Sequence, residues 1–271
     1  MRLAVVGHVE WVEFLRVPHV PASGEIVHAT EWWAEPAGGG SVAAVQLAKL
    51  AGAADFFTAL GTDELGQRAL EELSALGLRL HVAWRDEPQR RAETFVEASG
   101  ERTITVIGDR LVPCGADALP WDELAEMDGV YFTGGDVDAL RAARLAKVLT
   151  ATPRSLEVLC AAHVELDALV GSGRDAGERY GSGDLDPPPR LRVATLGAEG
   201  GVMEPGGLFP AVPLPGPIVD AYGAGDSFAA GLTYGLAAGM TPADAVALAS
   251  RCGAAALTGR GAFAGQLELS R

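Results

Sequence analysis

Short apolar runs that suit buried strands alternate along this chain with amphipathic or alanine-rich stretches that suit helices, and no other feature limits the fold as strongly. Arg2 to Gly7 opens the series: a β-branched run closed by glycine reads as a strand buried on both faces. Gly38-Gly39-Gly40-Ser41 starts an alanine-rich helix to about Ala51, and Asp55 to Leu60 follows as a strand. Past Gly61-Thr62-Asp63, the residues Leu65, Ala69, Leu73 and Leu76 form the 3.6-residue stripe of a second helix, which Gly77 stops. Farther on, the pattern predicts strand Val130 to Thr133, helix Val137 to Thr150, strand Leu156 to Cys160 and helix Val164 to Val170. A loop rich in Gly, Ser, Asp and Pro over residues 171–189 leads to strand Leu191 to Leu196 and then to glycine-punctuated hairpin material. Two helices, Gly225 to Ala238 and Pro242 to Thr258, end the chain. Strands joined through helices pair in parallel beneath helices on both faces, so a three-layer α/β/α domain with a mostly parallel central sheet is expected.

Two segments break the alternation. Glu10 to Trp33 mixes aromatic and β-branched residues with polar ones around Pro18, Pro21 and Gly24, which fits half-exposed strands about a turn. Ala92 to Val106 reads as a hairpin, with Thr94-Phe95-Val96 and Thr103-Ile104-Thr105-Val106 flanking Ser99-Gly100-Glu101. Together they predict a small β lid, with strands from roughly 10–33 and 91–107, on a single domain that spans residues 1–271.

Charge and cysteine content narrow the partners. A formal net charge of −15 repels polyphosphate backbones and anionic lipid, which argues against nucleic acid or a membrane surface; an anionic ligand would need a positive site built locally. Cys114, Cys160 and Cys252 are odd in number and lie in no metal-ligand spacing, as expected of a protein in a reducing cytoplasm. The N-terminal apolar stretch is too short for a signal peptide, and no stretch reaches the length of a membrane span.

The residues that carry chemistry are concentrated in Val219-Asp220-Ala221-Tyr222-Gly223-Ala224-Gly225-Asp226-Ser227. Gly223 and Gly225 permit a tight turn whose N–H groups face outward, the following helix adds the positive end of its dipole, and Asp226 stands at that end. Such a pocket suits phosphoryl transfer: amides stabilise charge gathering on the phosphate while the aspartate receives the proton of the attacking hydroxyl. The same aspartate would equally serve as a plain helix N-cap.

This string resembles the C-terminal signature of the ribokinase-like (PfkB) kinases, an Asp-Thr-x-Gly-Ala-Gly-Asp segment. The likeness covers most of the chain: Pro21-Ala22-Ser23-Gly24-Glu25 is similar to the family's lid segment, Gly38-Gly39-Gly40 to the start of its substrate helix, and Leu60-Gly61-Thr62-Asp63-Glu64-Leu65-Gly66 to its first signature. Gly100-Glu101-Arg102-Thr103 matches the lid hairpin turn, and Thr195-Leu196-Gly197-Ala198-Glu199-Gly200 the nucleotide-side strand and turn. The resemblance implies a ribokinase-like fold and transfer from ATP, with Mg2+, to a hydroxyl of a sugar or sugar-like small molecule. It makes Asp226 the base, the amides of Gly223, Ala224 and Gly225 the anion hole, Thr195, Gly197 and Gly200 the nucleotide contacts, and Gly38, Gly39 and Gly40 the acceptor contacts. Read without it, the Gly38 cluster is an ordinary strand-to-helix turn and Thr195 to Gly200 a hairpin turn.

Departures from the family pattern mark further expectations. Its Asp-Thr opening is Asp220-Ala221 here, which removes a hydroxyl from any monovalent-cation site; its substrate-helix asparagine falls on Val42; and Val12 stands between Glu10 and Glu13 where an aspartate usually meets the sugar. Glu10 or Glu13 then serves the acceptor, or both are solvated lid charges. The family's Asn-x-x-Glu element, which organises magnesium, has its nearest counterpart in Asp175-Ala176-Gly177-Glu178, whose carboxylate pair suits Mg2+ or is simply solvated. These losses keep open a non-catalytic sugar- or nucleoside-binding sensor that retains the fold. P-loop and dinucleotide-binding readings fail for want of their glycine spacing, and the five histidines show no metal or triad spacing. Trp11, Trp32 and Trp33 fit core packing, a substrate lid or a lid-to-lid homodimer.

Overall fold

Residues 1–269 are described by a computed structural model. Its chain order is β1 (Leu3–Val6), β2 (Glu10–Arg16), β3 (Glu31–Ala37), α1 (Gly39–Ala51), β4 (Ala54–Gly61), α2 (Glu64–Ala75), β5 (Leu78–Arg85), β6 (Arg91–Val96) and β7 (Arg102–Ile107). After a 3-10 turn at Trp121–Glu126 come β8 (Gly129–Phe132), α3 (Val137–Ala143), β9 (Val148–Ala151), α4 (Leu156–Ala162), β10 (Ala168–Ser172), β11 (Arg192–Thr195), β12 (Gly201–Glu204), β13 (Gly207–Phe209), α5 (Ala224–Ala237) and α6 (Pro242–Ala256).

Nine strands form one sheet in the order β13-β12-β11-β10-β9-β8-β1-β4-β5, parallel except for the antiparallel β12 and β13. Successive side chains of β1 point to opposite faces, as a strand's two-residue period requires. Leu3 and Val5 join a core with Leu47 of α1, Leu73 of α2, and Phe228 and Leu232 of α5; Ala4 and Val6 join the other with Leu140 of α3 and Leu159 of α4. The expected three layers are therefore present, and β1 reads as a continuous apolar run because both its faces are covered.

The expected order over residues 137–170 is corrected. The helix over Val137 to Thr150 ends at Ala143 and gives way to β9; the strand over Leu156 to Cys160 is helix α4; the helix over Val164 to Val170 runs into strand β10. The overlooked signal is Thr152-Pro153: the Thr152 side chain accepts the Arg154 amide and proline occupies a first-turn position, which together start a helical segment. His163, at φ 53°, ends α4 in the left-handed conformation. Strand β5 was also missed, since its polar Arg79 and His81 hide an edge strand.

A second, four-stranded sheet has the order β3-β2-β6-β7, with β2 antiparallel to β3 and parallel to β6. Its β2 is more buried than half-exposed strands would be: Trp11, Val12 and Phe14 are in the core, where Phe14 stacks on Trp33 at 4.9 Å. The β6–β7 hairpin reaches the segment ahead of α5, where the Ala221 amide donates to the Gly100 carbonyl (3.1 Å). Trp32, Ile104, Val106 and Ile107 remain exposed on this sheet. Among the described residues no helix is long and apolar enough to cross a membrane.

Candidate active site

Gly223 sits at φ 73° and is the N-cap of α5, a left-handed conformation that glycine adopts without the cost imposed by a Cβ. The next turn leaves the amides of Gly223, Ala224 and Gly225 without a partner among the described residues, and a Cβ built on Gly225 would meet nothing within 4 Å. These are the orphan donors of a helix start, here facing open space. Asp226 occupies the third helical position, and no side chain caps the helix. The capping alternative is thereby removed: the carboxylate has no hydrogen-bond partner among the described residues.

Asp226 is half-buried, and its pKa is raised to about 6, first by desolvation and then by the negative charge of Glu178. The positive charges of Arg102 and Arg154 act in the opposite direction. A carboxylate tuned toward neutrality is suited to taking a proton and releasing it again.

The glycine run at the start of α1 lies against this turn. A Cβ on Gly39 would be 2.8 Å from Asp226 Oδ1, and one on Gly40 would press on the His8 backbone. The Gly38 amide donates to the Tyr222 hydroxyl (3.0 Å), which ties the two glycine segments together. Glu10 is buried under Gly38, its Oε1 2.8 Å from Arg90 Nε and 3.7 Å from His8 Nε2; Glu13 instead pairs with Arg91 (2.6 Å). Val42, fully buried, packs its methyls against Gly223, so the position expected of an asparagine supports the turn. Asp220 is fully buried too, and accepts the amides of Tyr222 (2.9 Å) and Gly261 (3.1 Å).

Asp175 and Glu178 come together on Arg154. Glu178 accepts from Arg154 Nε (2.7 Å) and the Ser172 amide (2.6 Å), and Asp175 from the other end of the same guanidinium and the Gly177 amide (2.8 Å). Every carboxylate oxygen of the pair already accepts a hydrogen bond, so the two fit a hydrated Mg2+ held through water better than direct ligation. Another group of potential ligands, Asp55, His81 and Glu123, lies toward the opposite strand ends, where Asp55 is already in contact with His81 at 2.9 Å.

Thr195 ends β11, and Gly197 and Gly200 follow at φ 62° and 83° in the turn to β12. Gly200 is packed under the Phe209 carbonyl, where no side chain fits; Gly197 is exposed. A cavity of about 340 Å³ runs along β10 and β11 past Ser172, Glu178 and Ala194; Asp226, Thr195, Gly197 and Gly200 do not line it. The sequence-expected residues thus form two groups: Asp226 with Gly38–Gly40, Gly223–Gly225 and Glu10, and the Thr195–Gly200 turn one strand beyond the Asp175–Glu178 pair. Sequence reading missed His8, Arg90, Arg110 and Arg154; burial and the three arginines' positive charges hold the His8 pKa down, and burial with the like charges of Arg90 and Arg154 lowers that of Arg110. Their only sequence signal is position beside predicted strand ends.

The profile described as pfkB family carbohydrate kinase matches residues 1–166 and 142–268. The chain is 30% identical over 280 residues to a protein of Halopiger xanaduensis named ATP-dependent ribose-1-phosphate kinase, with 94% of this chain and 91% of that protein covered. Among solved structures it is similar to ribokinase from Thermotoga maritima (TM-score 0.77, 21% identity, 99% and 96% of the two chains). It is also similar to ribokinase from Cryptococcus neoformans in complex with ADP (TM-score 0.75, 24% identity, 98% and 97%). These likenesses bear out the ribokinase-like fold.

Proposed function

Because the chain belongs to the pfkB family of carbohydrate kinases, a family of phosphotransferases with hydroxyl acceptors, we propose that it phosphorylates a sugar or sugar-like hydroxyl from ATP with Asp226 as the base. The observation that carries this reading is the unpartnered Asp226 carboxylate beside the unpartnered amides of Gly223, Ala224 and Gly225. The name of the haloarchaeal relative supports a sugar as the acceptor class and ATP as the donor.

The acceptor lies beside Gly38–Gly40, where the absence of a side chain at Gly39 lets the Asp226 carboxylate come against the glycine run. Its hydroxyl oxygen attacks the terminal phosphorus of ATP, a new oxygen–phosphorus bond forms, and the bond to the ADP oxygen breaks. The hydroxyl proton passes to the Asp226 carboxylate. Amides of Gly223, Ala224 and Gly225 donate to the phosphoryl oxygens as their charge redistributes. Thr195, Gly197 and Gly200 take the nucleotide, while Asp175 and Glu178 hold hydrated Mg2+. That ion supplies charge neutralisation on the phosphates. The β6–β7 hairpin, already bonded to Ala221, excludes water and so limits ATP hydrolysis.

The test is acceptor-dependent ADP release over a panel of sugars, sugar phosphates and nucleosides, with the phosphate ester identified by phosphorus NMR. Ester formation matched to ADP upholds the reading. Acceptors that raise the melting temperature and are never phosphorylated would leave a sensor in its place.

A further inference from the structure

Tyr222 links the two glycine segments of the site. Its ring is buried, edge-on to Phe14 of β2 with centroids 5.0 Å apart, and its hydroxyl oxygen accepts the Gly38 amide at 3.0 Å. That bond occupies the oxygen and leaves the proton: among the described residues no acceptor takes the Tyr222 O–H. Buried donors are as a rule hydrogen-bonded, and one left unmade is destabilising, so a hydroxyl held in this way points to a ligand that completes it. Burial, and after it the negative charge of Glu10, raises the Tyr222 pKa far above the ordinary range of a phenol, so the proton stays in place at any pH used to assay a kinase.

The phenol is set on the same glycine run that meets the carboxylates: Glu10 packs against Gly38, and a Cβ on Gly39 would stand 2.8 Å from Asp226 Oδ1. The rest of this surface gives an acceptor little to hold. Val12 and Val42 are apolar and fully buried, and Ser41 donates its hydroxyl proton back to the Ala37 and Gly38 carbonyls. An ionised carboxylate only accepts hydrogen bonds, whereas a sugar hydroxyl both donates and accepts. One hydroxyl of the acceptor gives its proton to Asp226 during transfer. A second hydroxyl oxygen needs a donor, and Tyr222 has one without a partner.

We propose that Tyr222 is a specificity-determining residue, whose O–H, oriented by the Gly38 amide, donates to a second hydroxyl of the acceptor and so selects a polyol over the same molecule without that group. The proposal rests on the transfer reading above and deepens it. A site built to hydrogen-bond a hydroxyl rejects the analogue that lacks it, because the buried phenol is then left unpaired; apolar walls such as Val12 and Val42 discriminate far less.

The experiment compares kcat/KM in the wild type and Tyr222→Phe over matched sets: ribose with 2-deoxyribose and 3-deoxyribose, ribose 1-phosphate with 2-deoxyribose 1-phosphate, and adenosine with its 2′-deoxy and 3′-deoxy forms. In the set that the wild type phosphorylates best, a deoxy analogue should fall about a hundredfold or more below its parent. Tyr222→Phe should cut that ratio at least about tenfold, by slowing the parent while the deoxy compound stays within a few-fold. The variant keeps the ring and its contact with Phe14, so it should fold, with a melting temperature a few degrees lower because the Gly38 amide loses its partner. A residue that merely ties α1 to the α5 turn would move the melting temperature and leave the ratio alone. Deoxy analogues used as well as their parents by the wild type, or a variant that slows both alike, would overturn the proposal. If no acceptor releases ADP, the transfer reading fails and calorimetry with the same sets decides this one. Parent binding weakened about tenfold by Tyr222→Phe, with deoxy binding unchanged, upholds the donor role; equal weakening or no binding overturns it.

Discussion

Gly39 and Asp226 touch across the starts of two helices: a Cβ on the glycine would stand 2.8 Å from the carboxylate Oδ1. The contact joins the N-terminus of α1 to that of α5, and Gly38 adds a hydrogen bond from its amide to the Tyr222 hydroxyl. Two glycine clusters far apart in sequence thereby build one surface, with the carboxylate between them.

Gly39→Ala tests that surface. The new methyl forces Asp226 into another rotamer, while alanine at the first turn of α1 favours the helix. Transfer should fall by about tenfold or more, the loss expected when a reacting group is displaced by roughly 1 Å, with little change in melting temperature. An equal fall in stability would assign the glycine to packing alone.

The acid limb of kcat/KM reports the base. With Asp226 at about 6, activity should decline as pH drops through 6, because the protonated acid cannot accept the hydroxyl proton. Glu178 raises that value through its charge, so Glu178→Gln should move the limb to lower pH. A limb that stays in place, or moves upward, contradicts the assignment.

Gly223→Ala combines two penalties, a left-handed backbone and a Cβ 2.8 Å from a methyl of buried Val42. Denaturant unfolding should show a loss of about 2 to 4 kcal/mol. Adding Val42→Ala should recover the packing share and leave the backbone share, which separates the two.

Stability and pH are linked through Asp226 with a definite sign. Its pKa is higher folded than in the ordinary carboxylate range, so its contribution is most favourable at low pH and is lost as pH rises through 6. Asp226→Asn should therefore melt a few degrees above the wild type at pH 8, the scale of about 1 kcal/mol in a chain of this size, and the gap should close by pH 4. Melting curves at both values check it.

What the sequence made legible depended on how local the information was. The α5 turn, the α1 glycine run and the β6–β7 hairpin each declare themselves within a few residues through glycine and strand-forming side chains. Residues 137–172 were misassigned because four-residue apolar strands and seven-residue helices carry too little periodicity to separate, and only Thr152-Pro153 marks the phase. Strand β5 was hidden by edge exposure that lets polar residues in. Arg90, Arg110 and His8 were invisible as a group, since strand pairing alone brings them together. Glu10 was legible as an acceptor candidate; its place between Arg90 and His8 was not.

The base itself is tested most directly by Asp226→Asn assayed with the best acceptor at pH 8, alongside nucleotide binding by calorimetry. Affinity for ATP should be kept within a few-fold, and phosphoryl transfer should fall by at least about two orders of magnitude, the contribution of a positioned general base. Transfer within tenfold of the wild type would mean that the hydroxyl loses its proton to some other group.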